Sequence, residues 1–572
     1  MSDVIHASNV SSASVLPYTL RPARNEKHER QEDSHSFLES DENVIINLKK
    51  LTHLFQAFIP HMCDVPNPKV IMTKRMGLCI TAAVTCTNCS FKSMGVELYE
   101  TVKKSRGPSA GVLNESLVLP VLKSKVGIAD VLLVLSCLNI KVPDSHGLQR
   151  KLNILSDKMV DLNEQQMEKN QQYVQRINRI AGIIDDEAVD TEYDVSYASR
   201  PQAGCEASTQ SFAPLTERNT QKKLVIALQV GNKLCRKIKC DHKNNKCKKN
   251  LKSEESIAST ESKFLKSNLQ NIQSRKILRV RSVTSDASSQ IAKALRQYST
   301  AQNHPIVHYK CFVHRLRTIY KQIKNITLTS CPKAYDKRVY CQKLASCIRA
   351  RIRLELVRQR SRCTTDDIFV QHSKTAIDNI LHCFQGQHTM CRSRSMVCCA
   401  HLASYSTKFL PYGKHLQLSM SDINKLQAKI NNLCSQENLK QMSKLSTTNK
   451  AESLHHRVFT YAPKNTVWSR NFSGLCNSAA HSSSLGSGQS TIHLAKHIGI
   501  KVKSQDPFYK QLNKIDMKAK YDSKRQMTLH YKRNRYFLRK KKHNQTLCKN
   551  SVFIGGLEAI ADEHEYSLNP AT

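Results

Sequence analysis

The sequence of 572 residues contains no long hydrophobic run. Its most apolar stretch, IADVLLVLSCLNI at 128–140, includes Asp130 and is far shorter than the ~20 residues that a membrane-spanning helix needs. The opening residues, 1–42, lack the apolar core of a signal peptide. These absences argue against a membrane protein and predict an intracellular one.

Two catalytic signatures are also missing. The sequence has neither a glycine-rich phosphate loop nor a G-x-S-x-G motif, which argues against an NTP-driven motor and the common serine hydrolases.

Acidic residues are scarce, since 46 Asp and Glu stand against 88 Lys and Arg, a formal charge of +42. Such an excess favours a polyanionic partner, and we expect nucleic acid because neutralised phosphates release counterions.

Length and changes in composition divide the chain into several units. The predicted units are a disordered tail (1–42), a small Cys-containing unit that could bind zinc (43–110), a helical region (111–184), the first part of a core (185–330), a basic helical insertion (331–444), a core helix carrying Glu452 (445–500) and a basic tail (501–572). Within the tail, KRNRYFLRKKKH at 532–543 resembles a nuclear-import signal and would serve equally well to bind phosphates.

Residues 185–330 alternate between strand-like and helix-like patterns. Three strand-like runs and a crossover come before a strand, a helix, a second strand and a second helix. This order predicts a mixed α/β fold in which helices cover a mixed sheet.

Two acidic residues stand where strands usually carry apolar side chains. Asp194 in TEYDVSY and Asp286 in SVTSDASS lie within or at the end of predicted strands. If neighbouring strands bring them together, a divalent cation such as Mg²⁺ or Mn²⁺ would relieve their repulsion, and Glu452 would supply a third carboxylate. The alternative is that the two aspartates cap a turn and a helix.

The 21 cysteines of an intracellular protein should be mostly reduced, so their clusters point to metal sites or to packing in the core. Cys311 and His314 form half of a tetrahedral zinc site. The residues that could complete it are Cys391, Cys398 or Cys399, with His388 or His401. Two further candidate groups are Cys235, Cys240, His242 and Cys247, and Cys86 and Cys89 with His61, Cys63 or Cys79.

Basic side chains beside these groups are candidate phosphate contacts. The helix predicted at 340–362 places Leu344, Ile348, Ile352 and Leu356 on one face and arginines on the remainder. The predicted nucleic-acid contacts are Arg315, Arg317, Arg351, Arg353, Lys450 and Arg457.

Three segments together resemble the Mutator-like transposases: SDASSQIAKAL, CFVHRLRTIYKQIKNI and TTNKAESLHHRVFTYAPK. The likeness is to an animal branch in which a Cys-x-x-His segment precedes a basic helix and a TxNxxES stretch carries the last acid. It extends in patches over 43–545. The resemblance implies an RNase H-like core with a helical insertion, whose Asp-Asp-Glu triad holds two divalent ions. Such enzymes cut DNA at element ends and join the freed 3′ ends to target DNA, and the resemblance implies that the helical region at 111–184 could bind the DNA ends.

Carried over by position, the implied triad is Asp194, Asp286 and Glu452, with Cys311 and His314 as structural support. The relatives usually show a glycine and an aromatic residue soon after the first acid, whereas VSYASR follows Asp194 here, which leaves Asp190 as a competing first acid. The resemblance also implies double-stranded DNA as partner, a nuclear location and a homo-oligomer. The departures leave open a domesticated nuclear protein that binds DNA without cutting it.

Overall fold

The structure is a computed structural model that describes residues 41–549 except 105–106, 199–207, 236–239, 241–246, 287, 332–335, 399–409, 411–412, 414, 465 and 467. Nearly all of the predicted disordered tail, residues 1–40, lies outside the described residues, as do three candidate zinc ligands, His242, Cys399 and His401. The described helices and strands form a mixed α/β fold, as predicted.

The described chain forms two compact units, of which the smaller contains residues 46–75 and 80–98. Its elements are one helix and a three-stranded sheet of order β1-β2-β3: α1 (Leu48–Gln56), β1 (Pro68–Met76), β2 (Cys79–Cys86) and β3 (Val96–Glu97). The Asn47 side chain caps α1 by accepting a hydrogen bond from the backbone N–H of Lys50.

The larger unit begins with a helical segment. Its elements are β4 (Thr101–Val102), β5 (Ala110–Gly111), α2 (Val112–Ser116), α3 (Leu119–Lys123), α4 (Ile128–Cys137) and α5 (Ser145–Ile180). Helix α5 begins after Asp144, whose carboxylate accepts hydrogen bonds from two backbone N–H groups. Its buried residues Leu148, Leu152, Leu155 and Met159 recur every three or four positions, as an amphipathic helix requires.

A six-stranded mixed sheet with helices forms the centre of the larger unit. Its elements are β6 (Ala188–Tyr193), β7 (Ser196–Tyr197), β8 (Gln210–Glu217), β9 (Val225–Asn232), α6 (Ile257–Arg275), β10 (Arg279–Ser285), α7 (Ser289–Gln302), β11 (Val307–Lys310) and α8 (Phe312–Lys324). Strand β10 lies between β11 and β6 and is parallel to both. Strand β8 is antiparallel to β6, β7 and β9.

A break in the sheet exposes Asp194. The register that pairs Tyr193 with Leu215 resumes at Ser196 and Phe212, so Pro214 stands opposite Asp194. Because proline has no backbone N–H to donate, the ladder is interrupted there. Asp194 therefore leaves the sheet immediately after β6.

A helical insertion follows α8: α9 (Lys337–Arg362), α10 (Asp366–Asp378), α11 (Ile380–Phe384), α12 (Cys391–Arg394), α13 (Met420–Leu433) and α14 (Gln436–Lys440). The predicted apolar face of α9 is confirmed, since Leu344, Ile348, Ile352 and Leu356 are buried in one core with side chains of α8, α10 and α13.

Five helices complete the described chain: α15 (Asn449–Tyr461), α16 (Phe472–Leu485), α17 (Ser487–His497), α18 (Pro507–Met527) and α19 (Leu529–Lys549). Helix α16 packs closely on α5 at Gly474, where a Cβ atom would lie 2.1 Å from Ser156 Oγ. No helix among the described residues is long and apolar enough to span a membrane.

Candidate active site

Two of the predicted acids come directly after neighbouring parallel strands. Thr284 of β10 is paired with Glu192 of β6, and Asp286 and Asp194 each follow two residues later. Because the carboxyl ends of parallel strands meet at one edge of a sheet, both side chains lie at that edge. Asp194 and Asp286 thus follow neighbouring strands of one sheet, and their joint role as metal ligands stays a prediction.

His314 links Asp286 to the third predicted acid. Its Nδ1 atom lies 2.6 Å from Asp286 Oδ1, and its Nε2 atom lies 3.8 Å from Glu452 Oε1. The contact with Asp286, followed by that with the Cys311 thiol, raises the pKa of His314 to about 10. Asp286 and Glu452 therefore lie on either side of one imidazole ring.

The backbone holds this imidazole in place. Cys311 is the residue before α8, and its N–H donates to the carbonyl of Ser285 at the end of β10. The next N–H, that of Phe312, donates to the carbonyl of Ser446 just before α15. These two 2.8 Å bonds fix the start of α8 between the strand that precedes Asp286 and the segment that leads to Glu452.

Glu452 lies in the first turn of α15. Thr448 Oγ1 is 3.0 Å from Glu452 Oε1 and 3.4 Å from the Cys311 sulfur, close enough to donate to either. Burial raises the pKa of the Cys311 thiol, but its contacts with His314 and Thr448 outweigh burial and the pKa lies below its usual value. Thr448 thus connects the Cys-x-x-His pair with the carboxylate of Glu452.

Asp194 meets the same helix through a second histidine. His455, three residues after Glu452 on α15, places Nδ1 at 3.3 Å from Asp194 Oδ2. The Phe212 ring of β8 packs against the edge of His455. Helix α15 therefore carries Glu452, contacts Asp194 through His455, and is linked to Asp286 through His314 of α8.

A fourth carboxylate, Glu261 of α6, adjoins the site and was missed from the sequence. Its Oε1 atom accepts a 2.8 Å hydrogen bond from the Tyr197 hydroxyl. Burial raises the pKa of Glu261, and the charges of Asp194 and Asp286 raise it further. Glu261 lies near the start of a helix without any strand pattern, so nothing in its local sequence marks it as a partner of the two aspartates.

The competing first acid, Asp190, has a different environment. Its carboxylate accepts bonds from Arg281 Nε and Nη2, at 3.0 and 2.6 Å, and from Ser282 Oγ at 2.7 Å. Burial raises the pKa of Asp190, but the bonds from Arg281 and Ser282 outweigh it, and the pKa lies below its usual value. These contacts bind the carboxylate of Asp190 to its neighbours on β10.

Buried charges hold α15 against the sheet. Lys450 Nζ donates to Glu217 Oε1 at 3.3 Å and to the carbonyls of Glu217 and Thr220 at 2.9 and 2.7 Å. The backbone N–H of Lys450 donates to Glu192 Oε2 at 2.8 Å. Burial raises the pKa of Glu192 to about 7. The start of α15, and with it Glu452, is thereby tied to two strands.

Comparison with known protein families identifies the family of this chain. The family model of the Mutator-like transposases matches residues 42–398, more than half of the chain. The chain belongs to the Mutator-like transposases. The matched range includes Asp194, Asp286, Cys311 and His314, whereas Glu452 lies beyond it. No curated protein matches the sequence.

Membership of the Mutator-like transposase family implies binding to DNA and use of divalent metal ions. The partly exposed carboxylates of Asp194, Asp286 and Glu452 fit such an ion, since Mg²⁺ and Mn²⁺ prefer oxygen ligands. Asp286 Oδ1 and His314 Nδ1 contact each other in one ion pair, and the ligand atoms of Asp286, Cys311 and His314 all lie within 4.8 Å of one another. Asp286 could therefore exchange its contact with the imidazole for a contact with an ion.

The predicted phosphate contacts differ in their availability. Arg351 is buried, and its guanidinium bonds Glu355 and Ser395, so the prediction that it contacts nucleic acid is wrong. Three of the others, Lys450, Arg315 and Arg457, are partly buried and form hydrogen bonds within the protein. The bonds of Lys450 are given above, and Arg315 and Arg457 donate to the carbonyls of Leu433 and Ser482. Arg317 is half-buried, and Arg353 is exposed on α9.

The described cysteines and histidines of this transposase form four groups that could bind a metal ion. Asp286 joins Cys311 and His314, so the two predicted metal groups meet at His314. Cys391 and Cys398 fall with Cys383 and His388 rather than with Cys311. The remaining groups are Cys235, Cys240 and Cys247, and His61, Cys63, Cys86 and Cys89, without Cys79.

Proposed function

We propose that this transposase cleaves DNA strands at the ends of an element and joins the freed 3′ ends to target DNA. Asp194, Asp286 and Glu452 would hold Mg²⁺ or Mn²⁺. A pair of such ions activates water or a 3′-hydroxyl for in-line attack and stabilises the leaving oxygen of the phosphodiester. The observation that carries the proposal is the convergence of α15 on both strand ends, through Glu452 and His314 on one side and His455 on the other.

The sheet supports an RNase H-like core for this chemistry. Three antiparallel strands that are neighbours in the sheet, β6, β8 and β9, are extended on the β6 side by the parallel strands β10 and β11, with the helical insertion between β11 and α15. In such a core the first and second acids follow the central strand and its parallel neighbour, which is where Asp194 and Asp286 lie. Asp190 is the poorer candidate because Arg281 and Ser282 already occupy its carboxylate.

In this proposal the chain's own residues position the carboxylates. Lys450 fixes the start of α15 on Glu217 and Glu192, and Thr448 orients the Glu452 side chain. Exposed basic residues, such as Arg353 and those of α19, would bind phosphates with little sequence preference and strong salt dependence. We also propose a nuclear location, to which the basic run at 532–543 would direct the protein, and action as a homo-oligomer.

The test uses supercoiled plasmid DNA with purified protein and Mg²⁺ or Mn²⁺, against the same reaction in EDTA. We expect metal-dependent nicking that falls by about 10³-fold in Asp286→Asn, because an anionic ligand is lost where transition-state charge is stabilised. Asp190→Asn is the matched control, since it changes an acid on the adjacent strand and should leave nicking within a few-fold of the wild type. Nicking that survives Asp286→Asn would refute the assignment. Tight binding without nicking in every variant would instead indicate the domesticated DNA-binding protein.

A further inference from the structure

The insertion contains four metal-ligating side chains that lie close together. Cys383 of α11, His388 of the following turn, Cys391 of α12 and Cys398 place their ligand atoms within 4.8 Å of one another. His388 Nδ1 is 3.4 Å from the Cys391 sulfur and 3.6 Å from the Cys398 sulfur. Zn–S and Zn–N bonds of ~2.3 and ~2.0 Å put a nitrogen and a sulfur of one tetrahedral site about 3.5 Å apart. The two observed separations fit that geometry.

The neighbours of these buried thiols differ from those of ordinary core cysteines. Cys383, Cys391 and Cys398 form a buried cluster of their own. Cys341 and Cys434, by contrast, are packed among the aliphatic side chains of the insertion core. A buried cysteine that acts as a small hydrophobic residue belongs in the second environment. Three sulfurs gathered around one imidazole instead form the ligand set of a structural zinc site.

A buried ion pair supports the set from α9. Arg351 Nε lies 3.0 Å from Glu355 Oε1, and Arg351 Nη1 lies 3.8 Å from the Cys383 sulfur. Glu355 Oε2 accepts from the N–H of Met396 at 3.0 Å, and Ser395 Oγ accepts from the N–H of Cys398 at 2.8 Å. Zinc sites typically have residues outside the ligand set that fix the orientation of the ligands by hydrogen bonds. This also explains why Arg351 is buried and cannot serve as a phosphate contact.

We propose that Cys383, His388, Cys391 and Cys398 bind one Zn²⁺ ion that fixes the structure of the insertion. Thiolate and imidazole ligands select zinc over the Mg²⁺ or Mn²⁺ of the candidate active site. With four protein ligands the coordination shell is closed, which characterises structural rather than catalytic zinc. The proposal is independent of the cleavage reaction proposed above.

Zinc binding and disulfide formation would change the separation of the Cys391 and Cys398 sulfurs in opposite directions. Their sulfurs lie 2.8 Å apart, which is longer than the ~2.05 Å of a disulfide bond and shorter than the ~3.8 Å between two sulfurs of a tetrahedral zinc site. Zinc binding would move these sulfurs apart by about 1 Å. Disulfide formation would bring them together and leave His388 and Cys383 without a role.

The experiment measures zinc per chain by elemental analysis of the full-length protein purified under reducing conditions. Because other Cys/His groups are present, the informative quantity is the difference from the wild type. We expect Cys398→Ser to lose about one zinc per chain and Cys434→Ser, in the aliphatic core, to lose none. A Cys398→Ser protein that retains the wild-type zinc content would overturn the proposal.

Substitutions of His388 keep the test valid if the cysteine variant misfolds. His388→Cys preserves four ligands and should retain its zinc, whereas His388→Ala should lose about one zinc per chain and have a lower thermal midpoint. Equal zinc contents in these two variants would contradict the proposal. So would a non-reduced wild-type protein whose intact mass is lower by two hydrogens and whose peptide map links Cys391 with Cys398.

Discussion

Two sets of acidic side chains lie at the central sheet and have different surroundings. Glu192 and Glu217 have 5% and 0% of their side-chain surface exposed and meet Arg218 and Lys450. Asp194, Asp286 and Glu452 have 21%, 50% and 34% exposed and meet histidines. Losing one partner of a buried ion pair is strongly destabilising, so the first set contributes to the stability of the fold. The second set is more exposed, and a metal ion could replace its contacts with imidazole.

Helix α15 joins the two sets. Its second residue, Lys450, is bound to Glu192 and Glu217, and its fourth and seventh residues, Glu452 and His455, face the second set. The buried acids therefore act as the anchor that positions the exposed ones. It follows that substitutions in the two sets should have separable effects, on stability for the first and on chemistry for the second.

The largest expected effect is that of Glu452→Gln on DNA cleavage. The substitution keeps the size of the side chain and an oxygen that can accept from Thr448, but removes an anionic ligand. We expect nicking to fall by about 10³-fold, with DNA affinity and the thermal midpoint close to those of the wild type. Plasmid nicking, a DNA-binding titration and a thermal melt check the three parts. A variant that nicks normally would remove Glu452 from the proposed triad.

Lys450→Met should act mainly on stability. It leaves the fully buried Glu217 without its lysine, and removing one partner of a buried ion pair destabilises by about 3–5 kcal/mol. Urea unfolding of the larger unit measures the change. Lys444→Met is the matched control, because Lys444 pairs with Asp366 through a half-exposed side chain and should cost no more than about 1 kcal/mol. Equal losses in the two variants would show that Glu217 and Lys450 do not anchor α15.

Local patterns in the sequence predict much of the frame of this site. Strand-like runs that end in Asp194 and Asp286 place both acids at one edge of a sheet, because parallel strands share that edge. The apolar stripe of α9 predicts its buried face correctly. Both inferences depend only on periodicity and on strand order, which the sequence carries directly.

What the sequence does not predict depends on long-range packing. Glu261 reaches the site from α6, and Cys383 joins His388 through a turn after α11, with no recognisable spacing motif in either case. Arg351 is a different kind of error. It lies three residues after Ile348 and one before Ile352, on the buried stripe, but the general exposure of arginine argues for the surface. Glu355, the buried partner of Arg351, lies one turn later on the same stripe. An acidic residue at this position is the signal that favours a buried Arg351.

Lys123 extends the comparison to a buried cation whose bonds are to neutral groups. Its Nζ donates to Ser490 Oγ at 2.5 Å and to Met159 Sδ at 3.5 Å, and burial lowers its pKa from 10.5 to about 7. The unfolded chain therefore binds more protons between pH 7 and 10.5, so the cost of burying Lys123 is full below pH 7 and disappears as the pH rises toward 10.5. Lys123→Met should raise the free energy of unfolding by on the order of 3 kcal/mol at pH 6.5 and by much less at pH 10. Lys125 is exposed, so Lys125→Met should change the free energy of unfolding little at either pH. A rise in the free energy of unfolding for Lys123→Met that is equal at both pH values would mean that burial does not destabilise the charged form of Lys123.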